Sequence, residues 1–337
     1  MYLENDHVIG LSTDDPLKVN YEKNFDGEPT GKSNPERLTK MKSLAGHVDS
    51  VVNGVGRIGF QRGGRSAYWT DETMAERFSD HAIGFIMESV SAGEPFMLYY
   101  ALHQPHVPRV PNEKFAGKSK LGPHGDAILE ADWQVGELMA TLDSLGVMEN
   151  TLVIFTSNNG MVLNDGYLDH AEEMNTAAHH SPGGILRGGK YSRYDGGMHV
   201  PLLVQWKGTV TLGVSDAVVC QIDFPASFAA MLGETMPEIV PQHIVSADGQ
   251  PVTSAPMMRI DSENHLGTLL GHSSTGRSEL VLEACSDGCH SGVGTTISFR
   301  RVHRNSRRER PPSCTIWHPI RRRRPTSPPD IRTSWNP

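Results

Sequence analysis

The chain is poor in cysteine, has no long apolar run, and carries no lysine beyond Lys207. Four cysteines in 337 residues are too sparse for a disulfide scaffold. No apolar run nears the roughly 20 residues of a membrane-spanning helix, so an integral membrane protein is not expected. The opening residues, MYLENDHVIG, lack the basic-then-apolar pattern of a secretory leader. No internal repeat is visible. What is present is a composition for burying a core: 37% hydrophobic and 21% charged residues, which argues against wholesale disorder. At about 150 residues per domain, the length suits two domains or one large one.

Charge is unevenly placed. From Ser298 to Pro337 there are 11 arginines, no lysine and two acids, Glu309 and Asp330; the rest carries 20 basic against 37 acidic residues. The basic run Arg321–Arg324 could mark a nucleic-acid-binding tail. The stretch has neither helical nor strand period, so it reads instead as an unrelated, disordered end, and no nucleic-acid partner is expected.

Residues 1–70 are rich in Gly, Asn, Asp and Pro and read as loops with short strands. Thr70 followed by Asp71 and Glu72 has the form of an N-cap with acids in the first turn. Met74, Phe78, Ala82 and Phe85 follow at helical spacing, and Gly93 is the expected stop. FMLYYAL (96–102) is an apolar run of strand length, expected to be buried on both faces. Ile128, Ala131, Val135, Leu138, Leu142 and Leu145 trace a second helix ending at Gly146. TLVIFT (151–156) and VPLLVQ (200–205) are further strands, and 222–232 a short helix with Pro225 in its first turn.

Strand, helix and strand over 96–156 read as a βαβ unit with parallel strands and a right-handed crossover. Ligands gather beyond the carboxyl ends of such strands. His103-Gln-Pro-His106 and Ser157-Asn158-Asn159-Gly160 stand at those two ends. A loop of about 30 residues follows, a length usually functional or mobile. It holds His170, His179 and His180 and leads into Gly188-Gly189-Lys190.

Each candidate has a plainer reading. Asn158 and Asn159 offer oxygen ligands for a hard cation such as calcium, or form an ordinary Asn-Gly turn. His103 and His106 could bind an anion or move a proton, or be structural. Lys190 after two glycines is a point charge for an anion, or a solvated surface lysine. Cys285, Cys289, Cys314 and His318 fit no standard zinc spacing. Cys220, among Ala217, Val218 and Val219, reads as a core thiol.

The combination is more specific than its parts. ALHQPHVPR (101–109), FTSNNG (155–160) and LRGGKYSRYDGGMHVP (186–201), in this order and strand context, resemble the sulfatase family of the alkaline-phosphatase-like superfamily. GDAILEADWQVGELMATLDSLGVMENTLVIFTS (125–157) resembles its crossover unit, and the likeness extends loosely over 1–285. The resemblance implies an α/β fold, an alkaline-phosphatase-like sandwich with a mainly parallel sheet between helices, here partial. It implies a sulfatase-like domain over 1–235, a remnant of a small C-terminal domain over 236–290, and the Arg/Pro-rich tail over 291–337.

The implied activity is sulfate-ester hydrolysis, on a small sulfate ester or a sulfated glycan. In the family a formylglycine, made from Cys or Ser in C/S-x-P-S-R, attacks sulfur with help from calcium and basic side chains. By motif, His106 would contact the sulfate or assist the leaving group and Lys190 would pair with sulfate oxygens, making these two the catalytic candidates. His103 and His199 would join them in substrate binding. Asn158 and Asn159 fill two calcium-ligand positions. Export is the family expectation.

The departures are equally clear. No C/S-x-P-S-R motif exists in the chain. The family's early Asp-Asp pair and its G-K-W-H are missing; Asp14-Asp15 lies in a loop context and is not that pair. Asn158 stands where the family has Asp, so a charged ligand has become neutral, and weak calcium binding is expected. His199 stands where the family has Arg. The chain reads as a sulfatase lacking its first third. The alternatives are a non-catalytic sulfatase-like protein that binds sulfated ligands or a partner, and a phosphoester-directed relative.

Overall fold

A computed structural model describes residues 1–44, 46–192, 194–241, 257–284 and 295–300. The readings of Cys285, Cys289, Cys314 and His318 lie outside the described residues, as does the 291–337 tail apart from Thr295–Arg300, which is a strand paired with Glu279–Ala284 where no strand period was expected. The described residues up to Phe299 form one compact unit.

The first 70 residues are loops pinned by short antiparallel pairs. Lys18–Asn20 pairs with Phe60–Arg62. Val51–Val52 pairs with Val55–Gly56 across a two-residue turn in which Asn53 and Gly54 both have positive φ. That is the hairpin turn whose twist matches the strands, and Asn-Gly adopts it at least cost. Lys42–Ser43 pairs with Tyr167–Leu168, which ties this layer to the long polar loop. Met41, Val55, Val107 and Tyr167 form a small buried core at the junction.

The helices follow the apolar spacing, with shifted faces. Helix α1 spans Met74–Ala92 and ends at Gly93, which is left-handed and donates back to Ser89 and Val90 carbonyls. A 3-10 turn, Asp71–Thr73, precedes it, and Thr70 caps neither element through its side chain. Asp71 is drawn inward instead, accepting both oxygens' bonds from Arg57 at 2.8 and 2.6 Å. Helix α2 spans Gly122–Ser144 and is followed by left-handed Gly146. Its buried side carries Ala127, Glu130, Gln134 and Leu142, while Ile128 is exposed. The polar pair is buried because it is bonded. Gln134 Nε2 donates to Tyr100 Oη at 2.7 Å, and Glu130 accepts from Gln104 Nε2 and the Asn112 amide.

The main core joins α1, α2, the extended segment between them and the Val153–Thr156 strand. Ile86, Leu142 and Met148 are its buried centre, with Phe96, Leu98, Leu138 and Val153 packed against it. The expected parallel βαβ pairing is not found among the described residues. Residues 96–102 carry no strand ladder, and Val153–Thr156 pairs antiparallel with Leu202–Gln205, register Leu202↔Thr156 to Gln205↔Val153. Nor is 96–102 buried on both faces. Phe96, Leu98, Tyr100 and Leu102 turn inward, whereas Met97 and Tyr99 are 74% and 85% exposed. An apolar run signals two faces that could be covered; here α1 and α2 cover one.

Helix α3 (Ala171–Ala177) lies in the long loop, α4 (Asp195–Met198) is a single turn, and α5 (Phe224–Met231) follows a 3-10 turn with Pro225 near its start. Cys220 is a free, half-buried thiol at the start of that turn rather than a core residue.

Candidate functional site

The 103–110 segment follows the extended 96–102 run and turns sharply, the His106 amide donating to the His103 carbonyl at 3.1 Å. Arg109 fixes the turn. Its side chain is 1% exposed, and its N–H groups reach Pro105 O (2.8 Å), Leu163 O (3.1 Å), Val162 O (2.7 Å) and Asp169 Oδ2 (2.6 Å). With those donors committed to the protein, Arg109 holds two loops together and is not a ligand for substrate. Asp169 also accepts from the Ala171 amide at the start of α3.

A cavity of about 10 Å³ lies beneath the turn, lined by His103, Gln104, His106, Arg109, Asp71 and Glu130 among others. That is about one water's worth of space. Burial, opposed by the nearby Asp71 carboxylate, holds the His103 imidazole below its usual range, and burial pushes the Glu130 carboxyl up. His103 Nε2 and Gln104 Oε1 are buried atoms without a hydrogen-bond partner in the protein.

Across the turn stands Lys190. Its Nζ donates to His106 Nε2 at 3.2 Å and to Asp165 Oδ2 at 3.1 Å. Tyr191 Oη reaches both Asp165 oxygens at 3.4 Å. Burial works to lower the Lys190 ammonium, but the bonds to Asp165 and Tyr191 outweigh it and the net shift is upward. The lysine is therefore a permanent cation at neutral pH.

The glycines around Lys190 admit backbone, not ligand. A Cβ on Gly160 would stand 1.8 Å from Gly196 O; one on Gly189 would stand 2.3 Å from Met161 O; one on Gly197 would stand 2.5 Å from Gly189 O. Three stretches of main chain, 160–161, 187–190 and 195–197, pack directly on one another. The Lys190 amide donates to Met161 O and the Gly160 amide to Gly197 O. This packing sets Lys190 beside the residues that follow the Val153–Thr156 strand.

Asn158 and Asn159 occupy that strand end and bond to each other, Asn159 Nδ2 donating to Asn158 Oδ1. Asn159 Oδ1 is buried without a partner. Calcium takes 6–8 oxygens, usually several carboxylates. One free amide oxygen and one already engaged do not make such a shell, and no cluster of three His, Cys, Asp or Glu suited to a metal exists among the described residues. The residues present do not fit a calcium site. His199 is exposed, and its side chain pairs with Asp195 one helical turn earlier, Nδ1 lying 3.3 Å from Asp195 Oδ2.

His106 and Lys190 are thus in direct contact, His103 lies in the same turn, and Asn158–Asn159 joins through the 160–161 backbone. Asp165 and Arg109 were not foreseen. Asp165 sits in an Asn-Asp-Gly stretch that reads only as a turn, and Arg109 is hidden in a motif whose histidines draw the eye.

A family model for sulfatases matches residues 5–234. The chain belongs to the sulfatase family. It is 45% identical over 281 residues to the N-acetylgalactosamine-6-O-sulfatase of Bacteroides thetaiotaomicron, covering 83% of this chain and 50% of that protein. It is 34% identical over 163 residues to human arylsulfatase A, covering 48% of this chain and 30% of that one. A solved structure from work on the metabolism of multiple glycosaminoglycans by B. thetaiotaomicron superposes with a TM-score of 0.76 at 42% identity, covering 88% of this chain and 56% of that chain. This likeness shows the alkaline-phosphatase-like fold. The chain spans about half the length of this first relative and less of the second. The motifs 101–109, 155–160 and 186–201 all fall inside the matched region.

Proposed function

We propose that this protein serves the hydrolysis of sulfate esters on a sulfated glycan, with the 6-sulfate of an N-acetylgalactosamine unit as the substrate group. The observation that carries the reading is the Lys190–His106 contact at 3.2 Å, built by the motifs that resemble the family's. The substrate comes from the 45% relative. A sulfate ester is a compact anion, and the Lys190 ammonium, a donor held by Asp165, His106 and Tyr191, can turn from His106 to donate to a sulfate oxygen. The exposed His106 ring stands where it can exchange a proton with the ester oxygen that leaves. His103 positions the turn from below. Asn158 and Asn159 stand at the strand end next to this anion site.

The chain carries no C/S-x-P-S-R motif, so it supplies the anion-binding part of the chemistry without a formylglycine nucleophile. No step is assigned to calcium. Export from the cytoplasm accompanies the reading, since sulfated glycans are extracellular polymers.

The test is calorimetric titration of the purified chain with N-acetylgalactosamine 6-sulfate and with the unsulfated sugar. Binding of the sulfated sugar only, weakened about tenfold or more in Lys190→Ala, is expected for the loss of a charge-assisted hydrogen bond. Equal binding of both sugars would overturn the reading. Chromogenic sulfate turnover by the chain alone, surviving removal of all four cysteines, would overturn the statement that it supplies no nucleophile. The rival reading, a sulfatase-like protein that binds sulfated ligands without cleaving them, gains from neutral Asn158; tight sulfate binding at full length without turnover would favour it.

A further inference from the structure

We infer that Asp165 is a positioning residue that acts through Lys190 to hold His106 as the neutral imidazole with its proton on Nδ1. The geometry stands by itself; the consequence for ester cleavage rests on the function proposed above.

Two partners fix the tautomer independently. An ammonium has three donors and no acceptor, so the 3.2 Å contact from Lys190 Nζ requires a lone pair on His106 Nε2. The other ring nitrogen lies 2.7 Å from the Val107 carbonyl oxygen, which can only accept. Nδ1 must therefore carry the hydrogen. The Val107 contact excludes the Nε2–H tautomer, and the Lys190 contact excludes that tautomer and the imidazolium as well while Lys190 stays in place.

Lys190 stays because Asp165 is anchored. A lysine has four rotatable bonds and substantial rotamer entropy to lose. The carboxylate that holds it sits in a stretch fastened on both sides. Upstream, Arg109 clamps the Val162 and Leu163 carbonyls. Downstream, Gly166 O accepts from the Leu44 amide at 2.9 Å, and Tyr167–Leu168 pairs with Lys42–Ser43. Gly166 is left-handed, at φ +84°, and a Cβ there would fall 2.2 Å from the His47 ring, so the approach is close and glycine-dependent. The Tyr191 hydroxyl adds a donor to Asp165. Tyr191 holds φ +73°, a conformation that is strained for a bulky residue and persists only where the surroundings dictate it.

The consequence is a resting site in which His106 can accept a proton but has none to give from Nε2. An ester oxygen arriving there meets a lone pair. Before His106 can donate to a leaving alcohol it must first take up a proton, and Lys190 must move off Nε2 towards the sulfate. Asp165 sets this order.

The experiment is long-range proton–nitrogen NMR on the whole chain with 15N-labelled histidine, near pH 7.5 and without ligand. The His106 signals are assigned by their loss in His106→Gln. The expected result is the Nδ1–H pattern in the wild type. Asp165→Asn should shift His106 towards Nε2–H about tenfold, the usual weight of a hydrogen bond to a charged group; Asp165→Glu should restore part of the shift, and Tyr191→Phe should move it less in the same direction. The other histidine signals report whether each variant is folded; if Asp165→Asn is not, Tyr191→Phe and Asp165→Glu decide. An Nε2–H pattern in the wild type, or no change in a folded Asp165→Asn, would overturn the inference. Failure to bind a sulfated sugar would overturn the proposed function and leave the tautomer result standing, so the two failures are separable.

Discussion

Removing the Arg109 guanidinium should be among the most damaging single changes in this protein. The side chain is 1% exposed and its partner carboxylate, Asp169, 2%. In Arg109→Met the volume is roughly kept, but Asp169 becomes an unpaired buried charge and three carbonyls, on Pro105, Val162 and Leu163, lose a donor. Breaking a buried pair from one side costs about 3–5 kcal/mol, and a domain has only about 5–15 kcal/mol to lose. The variant should therefore unfold in urea with its midpoint lowered by about a fifth or more. Replacing both partners, Arg109→Met with Asp169→Leu, should recover part of the loss, because no charge is left stranded. The recovery cannot be complete, since Asp169 also accepts the Ala171 amide at the start of α3 and the three carbonyls remain unserved. The assay is urea denaturation followed by far-UV circular dichroism for the wild type, both single variants and the double. A single variant costing less than about 1 kcal/mol, or a double variant worse than the sum of the singles, would refute the argument that burial makes this pair essential. The same variants report on the site, because the loop Arg109 clamps is the one that carries Asp165.

Gly160→Ala should destabilise by about 1–3 kcal/mol, the usual range for forced overpacking, since its Cβ would meet Gly196 O at 1.8 Å; thermal melts measure it, and a neutral effect would mean the three backbones are not packed as described. His124 should make stability fall as acid is added. Burial, helped by the Arg109 charge, lowers its folded pKa to about 4 from 6.5, so the unfolded chain takes up the proton first. The contribution is fully present above pH 6.5, declines by up to about 3 kcal/mol as pH falls to about 4, and changes little below; His124→Gln should flatten that limb in urea melts across pH, and an unchanged slope would contradict it. Met97→Ser with Tyr99→Ser should change stability by under about 0.5 kcal/mol, as exposed positions do, while reducing binding of an apolar dye, because these side chains are 74% and 85% exposed; a large loss of stability would show the face to be covered.

Local signals in the sequence carried well wherever one residue decides the outcome. Gly93 and Gly146 end their helices because only a residue at ease with positive φ continues the chain there. The runs at 153–156 and 202–205 became strands. Pairing direction was not legible: an apolar run holds no record of its neighbour, and 153–156 took 202–205 antiparallel while 96–102 formed no ladder. The buried side of α2 was hidden for a different reason. Glu130 and Gln134 look like surface residues until Gln104, Asn112 and Tyr100, distant in sequence, are seen to bond them. At the site, the motif residues His106 and Lys190 were legible, but Asp165 was not, since a turn aspartate announces nothing about the lysine 25 positions on.

The charge balance of the site explains why Asp165 and Asn158 belong in one argument. Lys190 brings one positive charge and Asp165 one negative; His106 is neutral in the tautomer its partners dictate, and Asn158 and Asn159 are neutral amides. Before any ligand arrives the cluster sums to zero. A site of this kind holds an anion by the direction of its donors rather than by a strong net field. An aspartate at 158 would tip that sum negative and repel a sulfate unless a cation stood beside it. With asparagine there, the Lys190 donor faces the anion without a second carboxylate at the strand end. The neutral residue that spoils a calcium shell is therefore the same one that keeps a second carboxylate away from the lysine–histidine pair when a sulfate ester arrives.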